Sequence, residues 1–183
     1  MISIIRLTIR AFSRGARQAK RIPTVPVETI DAPHGHTGAS IAKVLWVIDG
    51  DTVDVKKQGR RVRIRLDAID CPEDGQPWGD TAKAGLIKMI GGKSVHLEEH
   101  GYDDYGRTIA TVFVRDEQKA KWINVNERMV ILGHAWVMRA YYAHLSHDRR
   151  RQLNRLEMWA KSERVGLWRT PNPTPPWEWR HKK

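Results

Sequence analysis

Between Val44 and Leu66 the chain changes polarity at almost every residue, and that rhythm most constrains its fold. Val44, Trp46 and Ile48 alternate with their neighbours, and Val53 and Val55 do the same after an Asp-Gly-Asp turn. Val62, Ile64 and Leu66 then alternate with Arg61, Arg63 and Arg65. A period of two belongs to strands, whose side chains point to opposite faces, so one face is buried and the other is wet. Three such segments separated by a few residues predict an antiparallel meander. Arg61 and Arg63 fall on its outer face and are expected to be solvated. Residues 80–90 break the rhythm: Ala82, Leu86, Met89 and Ile90 share a helical face, and Gly91-Gly92 ends it. Val95–Glu98 and Ile109–Val114 read as two further strands. Five strands with a helix inserted after the third predict an α+β fold built on a small closed barrel of the OB type.

The remainder is predicted to be mainly helical, for about three helices in all. One helix spans 123–132 and is closed by Gly133. A longer one spans roughly 146–164, with Leu153, Leu156 and Ala160 inward and Arg149-Arg150-Arg151 solvated at its start. Residues 170–183 form a basic tail rich in proline and tryptophan, expected to be extended, with Trp177 and Trp179 packing back on the domain. At the other end, residues 1–40 divide into a basic amphipathic arm and a Pro/Gly linker, which leaves 41–169 as the folded domain. Arg6, Arg10, Arg14, Arg17 and Arg21 would share one helical face of the arm.

Charge follows this division. Of 32 Lys+Arg and 21 Asp+Glu, residues 1–27 hold six bases and no acid. Such an arm suits an anionic membrane surface, nucleic acid or an acidic polysaccharide, so charge alone selects no partner. No apolar run reaches the ~20 residues of a membrane span. The single cysteine, Cys71, excludes an internal disulfide and a cysteine-based zinc site. A weak export signal, a membrane-surface anchor and a cytoplasmic extension all fit the arm; export or envelope association is preferred, and a monomer is expected.

Chemistry concentrates in Ile48-Asp-Gly-Asp-Thr-Val53 and Arg65-Leu-Asp-Ala-Ile-Asp-Cys-Pro-Glu73. Asp51 precedes Arg65 by 14 residues, Asp70 by 19 and Glu73 by 22. In a meander, the start of one strand and the end of the next meet at one rim, which would gather Asp51, Asp70 and Glu73 beside a guanidinium. Carboxylates so crowded recruit a hard cation, with calcium the best match for oxygen ligands. A remaining carboxylate can act as general base, and arginines can hold phosphate oxygens. A second arginine, Arg107, arrives on the turn Tyr102-Asp-Asp-Tyr-Gly-Arg107. Together these point to phosphodiester hydrolysis.

These elements, in both identity and spacing, resemble the staphylococcal nuclease family over roughly residues 41–169, including the closing Gly166-Leu167-Trp168. The resemblance implies an OB-type barrel with three helices and calcium-dependent cleavage of DNA and RNA that leaves 3′-phosphates. It implies that Asp51, Asp70 and the backbone carbonyl of Cys71 hold one calcium ion. Glu73 matches the general base, Arg65 and Arg107 the phosphate-binding arginines, and Asp49 an acid near the metal. Tyr105 matches a tyrosine that touches a nucleotide phosphate, while Trp136, Tyr141 and Tyr142 are candidates for stacking on a base. Asp104 departs from the family pattern, standing where a phosphate-contacting lysine is found. The short, lysine-poor loop Asp74–Asp80 departs as well. The pairs His34/His36 and His144/His147 lack a third ligand in sequence and are not expected to bind zinc. A second reading keeps the fold for an accessory protein that binds a polyanion without cleaving it.

Overall fold

The computed structural model describes residues 29–33 and 40–182. The arm over 1–21, most of the linker, and His34 with His36 lie outside the described residues. The strands are β1 (Thr29–Ile30), β2 (Ile41–Val47), β3 (Thr52–Lys57), β4 (Arg60–Leu66), β5 (Ile69–Asp70), β6 (Ser94–Tyr102), β7 (Thr108–Asp116), β8 (Lys121–Asn124) and β9 (Trp136–Val137). The helices are α1 (Gly79–Ile90), α2 (Val125–Ile131), α3 (His147–Ser162) and α4 (Pro176–His181).

Neighbours run β7-β4-β3-β2-β6, and β6 pairs with β7 again, so five strands close into a barrel of the expected OB type. All the closing pairs are antiparallel except β4 with β7, which is parallel. The β3–β4 hairpin turns through Gln58 and Gly59, both with positive φ, the conformation that matches the twist of the two strands. Val53, Val55, Ile64, Leu66, Val95, Ala110 and Val112 fill the interior and are all buried. The alternation read from sequence is thus the inside–outside pattern of the barrel. Outside it, β1 adds to β8, and β9 pairs with β5.

Several expectations are corrected. Trp46 does not continue the inward row of Val44: pairing to β3 skips a residue between Val44 and Trp46, and this bulge turns Trp46 outward to 66% exposure. Arg61 and Arg63 are not merely solvated. Arg63 Nε donates to Asp54 Oδ1 at 2.9 Å and Arg61 Nε to Asp54 Oδ2 at 3.0 Å, so the pair neutralises a buried carboxylate. Arg149 likewise forms a bidentate pair with Glu98, at 2.8 and 2.7 Å, which ties α3 to β6. Residues 123–124 are strand rather than helix, because Asn124 accepts a hydrogen bond from Glu127 N and caps α2. The tail is not extended throughout. Pro176 occupies the first turn of α4, where its missing N–H costs nothing.

Two glycines set how the helices meet. A Cβ on Gly133 would stand 2.2 Å from the Val165 carbonyl oxygen, and one on Gly166 would stand 2.3 Å from the Gly133 oxygen. Only glycine at both positions lets the end of α2 cross the segment after α3.

Candidate active site

Register brings the acidic turns together. Thr52 lies opposite Arg65 in the β3–β4 ladder, and Leu66 N donates to the Asp51 carbonyl at 2.8 Å, so Asp51 and Arg65 share a rim. Gly50 allows the 48–51 turn to lie against the following loop; a Cβ there would stand 2.6 Å from Cys71 Cβ. Beyond β4, Asn126 Nδ2 donates to the Asp67 carbonyl at 2.9 Å, and β5 pairs with β9, which delivers Asp70 to the same rim. Glu157, buried and accepting from Val137 N at 2.9 Å, holds β9 in turn. Parallel pairing of β4 with β7 carries Arg107, just ahead of β7, to this end of the barrel.

Arg65 organises what gathers there. Its Nη1 donates to the carbonyls of Leu66 (2.7 Å) and Ile69 (2.8 Å), and its Nη2 to Asp70 Oδ1 (2.9 Å). Its Nε lies 3.2 Å from Asp51 Oδ1. One guanidinium therefore spans both carboxylates and the backbone between them. Asp51 Oδ2 accepts from Cys71 N at 2.7 Å, and Asp49 Oδ1 accepts from Asp51 N at 2.9 Å. Arg107 is aimed by its own turn: Asp103 Oδ1 accepts from Tyr105 N and Arg107 N, and Arg107 Nε donates to Asp103 Oδ2 at 2.7 Å. Gly106, at φ 75°, closes that turn. The sequence reading passed over Asp103, although an aspartate opening a tight turn is a known local signal.

Asp49, Asp51, Asp70, Glu73, Arg65 and Arg107 line one cavity of about 840 Å³, with the Cys71 segment in its wall. A further residue joins them from the far end of the chain. Arg180, on α4, donates through Nη2 to Asp70 Oδ2 at 2.9 Å and through Nη1 to Glu73 Oε1. Gln76 fastens this arrangement, accepting from Glu73 N at 2.9 Å and donating to the Thr174 carbonyl at 2.7 Å. Trp177 packs edge-on to Trp136, with ring centroids 6.4 Å apart, in keeping with the expected return of the tail. No local pattern marks Arg180, which lies 110 residues from Asp70.

Burial raises the pKa of Asp49 to about 6, reinforced by the neighbouring Asp51 carboxylate. Burial raises Asp51 too, against the opposing pull of Arg65. Buried carboxylates with raised pKa values, crowded in a cleft, mark a candidate functional cluster. Asp51, Asp70 and the carbonyl of Cys71 offer oxygen donors, the type that suits a hard divalent ion, with Glu73 beside them in the same cavity. The Cys71 thiol is buried, and burial lifts its pKa well above the ordinary range, so it is an inert packing group.

Of the aromatic candidates, Tyr105 and Tyr141 are exposed and line the cavity. Trp136 does not: it is buried at 6% exposure between Trp168 and Trp177, and so cannot offer a face to a base. Tyr142 is half-buried against the core, with Asn154 Nδ2 donating to its hydroxyl at 3.4 Å. Asp104 is on the cavity wall. His144 does not meet His147, which neighbours Asp148 and Arg151; it turns instead to Asp67.

The signature of the staphylococcal nuclease homologue family matches residues 63–170. The chain belongs to the staphylococcal nuclease family. It is 39% identical over 143 residues to Protein ParB of Escherichia coli, covering 76% of this chain and 78% of that one. It is 36% identical over 141 residues to a micrococcal nuclease of Shigella flexneri, covering 75% and 79%. An uncharacterized endonuclease of Escherichia coli O157:H7 is also 36% identical over 141 residues, covering 77% and 85%. The matched span of this nuclease family member takes in Arg65, Asp70, Glu73 and Arg107, and the turn bearing Asp51 lies just ahead of it.

Proposed function

We propose that this protein is a calcium-dependent endonuclease of low sequence specificity that hydrolyses phosphodiester bonds of DNA, RNA or both and leaves 3′-phosphates. The observation that carries this reading is that Asp51, Asp70 and Glu73 line one cavity with Arg65 and Arg107. Calcium held by Asp51, Asp70 and the Cys71 carbonyl would supply Lewis acidity toward the phosphate. Glu73 is the most exposed of the three carboxylates, at 36%, and can accept a proton from water. Arg107, in the same cavity, presents donors that its pairing with Asp103 leaves free, and these can offset charge growing on phosphate oxygens. Arg65 fixes Asp51 and Asp70 relative to each other and to the substrate side of the cavity. Tyr105 and Tyr141 offer exposed rings to the nucleotide, in a site whose charged groups address phosphate rather than base edges. An association of residues 1–21 with an anionic membrane surface, export or envelope location, and a monomeric state accompany the proposal.

The end chemistry tests it. A single-stranded oligonucleotide cut in calcium should yield fragments that a polymerase extends only after phosphatase treatment. Fragments that extend directly carry 3′-hydroxyls and would overturn the assignment of the bond cleaved.

A further inference from the structure

We infer that Asp67, His100 and His144 form a second cation site, which takes a transition-metal ion of the zinc class rather than calcium. Asp67 is buried at 4% exposure, yet among the described residues no lysine or arginine pairs with its carboxylate. Its side-chain partners are two imidazoles. His144 Nε2 lies 2.9 Å from Asp67 Oδ2, and His100 Nε2 lies 3.7 Å from the same oxygen. One ligand atom from each of the three residues falls within 4.8 Å of the other two. A buried carboxylate without a fixed cation is costly, and convergent imidazoles at its oxygen make a place for one.

Each ligand is held by the fold. Asp67 N donates to the Ala110 carbonyl at 2.9 Å, and Asn126 holds the Asp67 carbonyl. His100 is the unpaired residue of a bulge in β6, where pairing to β7 steps from Glu99 directly to Gly101. Bulges of this kind re-aim a side chain, and here it turns to Asp67 while Nε2 also meets Thr111 Oγ1 at 2.9 Å. Two nitrogens and one oxygen suit zinc-like ions and are poor company for calcium. All three residues line the cavity that holds Glu73 and Arg107, so a bound ion has its open side toward that space.

The test is a zinc titration of the untagged full chain carrying His34→Gln and His36→Gln, followed by calorimetry in excess calcium. One zinc ion per chain is expected, and cobalt in its place should give the visible absorption of a nitrogen-ligated ion. His144→Gln and His100→Gln should each weaken zinc binding at least tenfold, while His147→Gln leaves it unchanged. His144 is 39% exposed, so its replacement tests the site without emptying the core, and near-ultraviolet circular dichroism checks that it folds. Absence of zinc binding, displacement by calcium, or parental affinity in both variants would each overturn the inference. None of these readouts depends on nuclease activity.

Discussion

Arg65 has two tasks at once, and this separates it from Arg107. Its guanidinium joins two backbone carbonyls to Asp70 and lies against Asp51, with the side chain only 16% exposed. Removing it leaves Asp51 buried without its counter-charge and Asp70 with Arg180 alone. Arg65→Ala should lose activity and about 3 kcal/mol of stability, read by urea unfolding. Arg107→Ala should lose activity with a much smaller stability change, since its ion pair is with Asp103 of its own turn. Asp49 gives a pH-dependent prediction. Its folded pKa of about 6 lies above the ordinary 3.8, so its favourable contribution is complete below about pH 4 and disappears as pH rises through 6. Asp49→Asn keeps the acceptor for Asp51 N. It should therefore stabilise the metal-free protein by roughly 1–2 kcal/mol at pH 7, allowing for partial exposure, and have little effect near pH 4. Thermal unfolding at both pH values checks this, and an equal effect at the two would contradict it.

Among the elements, α4 links the tail to the chemistry. It is fastened by the Gln76–Thr174 hydrogen bond and by Trp177 against Trp136, and these anchors do not involve Arg180. Arg180 meanwhile places a positive charge on Asp70, a carboxylate assigned to calcium, and on Glu73 beside it. Arg180→Gln should then keep the tail docked and tighten calcium binding about fivefold, on the order of 1 kcal/mol. Calorimetry with calcium measures it; unchanged or weaker binding would show that the guanidinium does not compete. This element also shows the limits of the sequence. Barrel strands were legible because alternation is a local property, and Asp51, Arg65, Asp70 and Glu73 were legible because their spacing is preserved in the chain. Arg180 and the Asp67–His144 pairing join residues 110 and 77 positions apart, and local rules carry no information over such distances. Trp46 and His100 were obscured for a related reason, since a bulge in one strand is defined only by its pairing with the next.

At the scale of the molecule, the closed barrel gives the site its rigidity and the additions give it its charge. Strands β3, β4 and β7 end at one rim, so residues from three separate turns meet without any one turn having to be long. The tail then closes on that rim through Gln76 and Arg180, while the Glu98–Arg149 pair ties α3 to β6. The chain as a whole carries +11, which favours encounter with a polyanion, while the cavity itself is rich in carboxylates. A polyanion approaching carboxylates needs a cation between them, which is why calcium dependence is the central claim. Its most direct measurement is digestion of single-stranded DNA by the purified protein, in calcium or in EGTA, with Glu73→Ala beside the parent. The account predicts cleavage by the parent in calcium, none in EGTA, and none by a folded Glu73→Ala in either. Cleavage that persists in EGTA or in the variant, or a folded, calcium-replete parent that binds DNA without cutting it, would contradict the account.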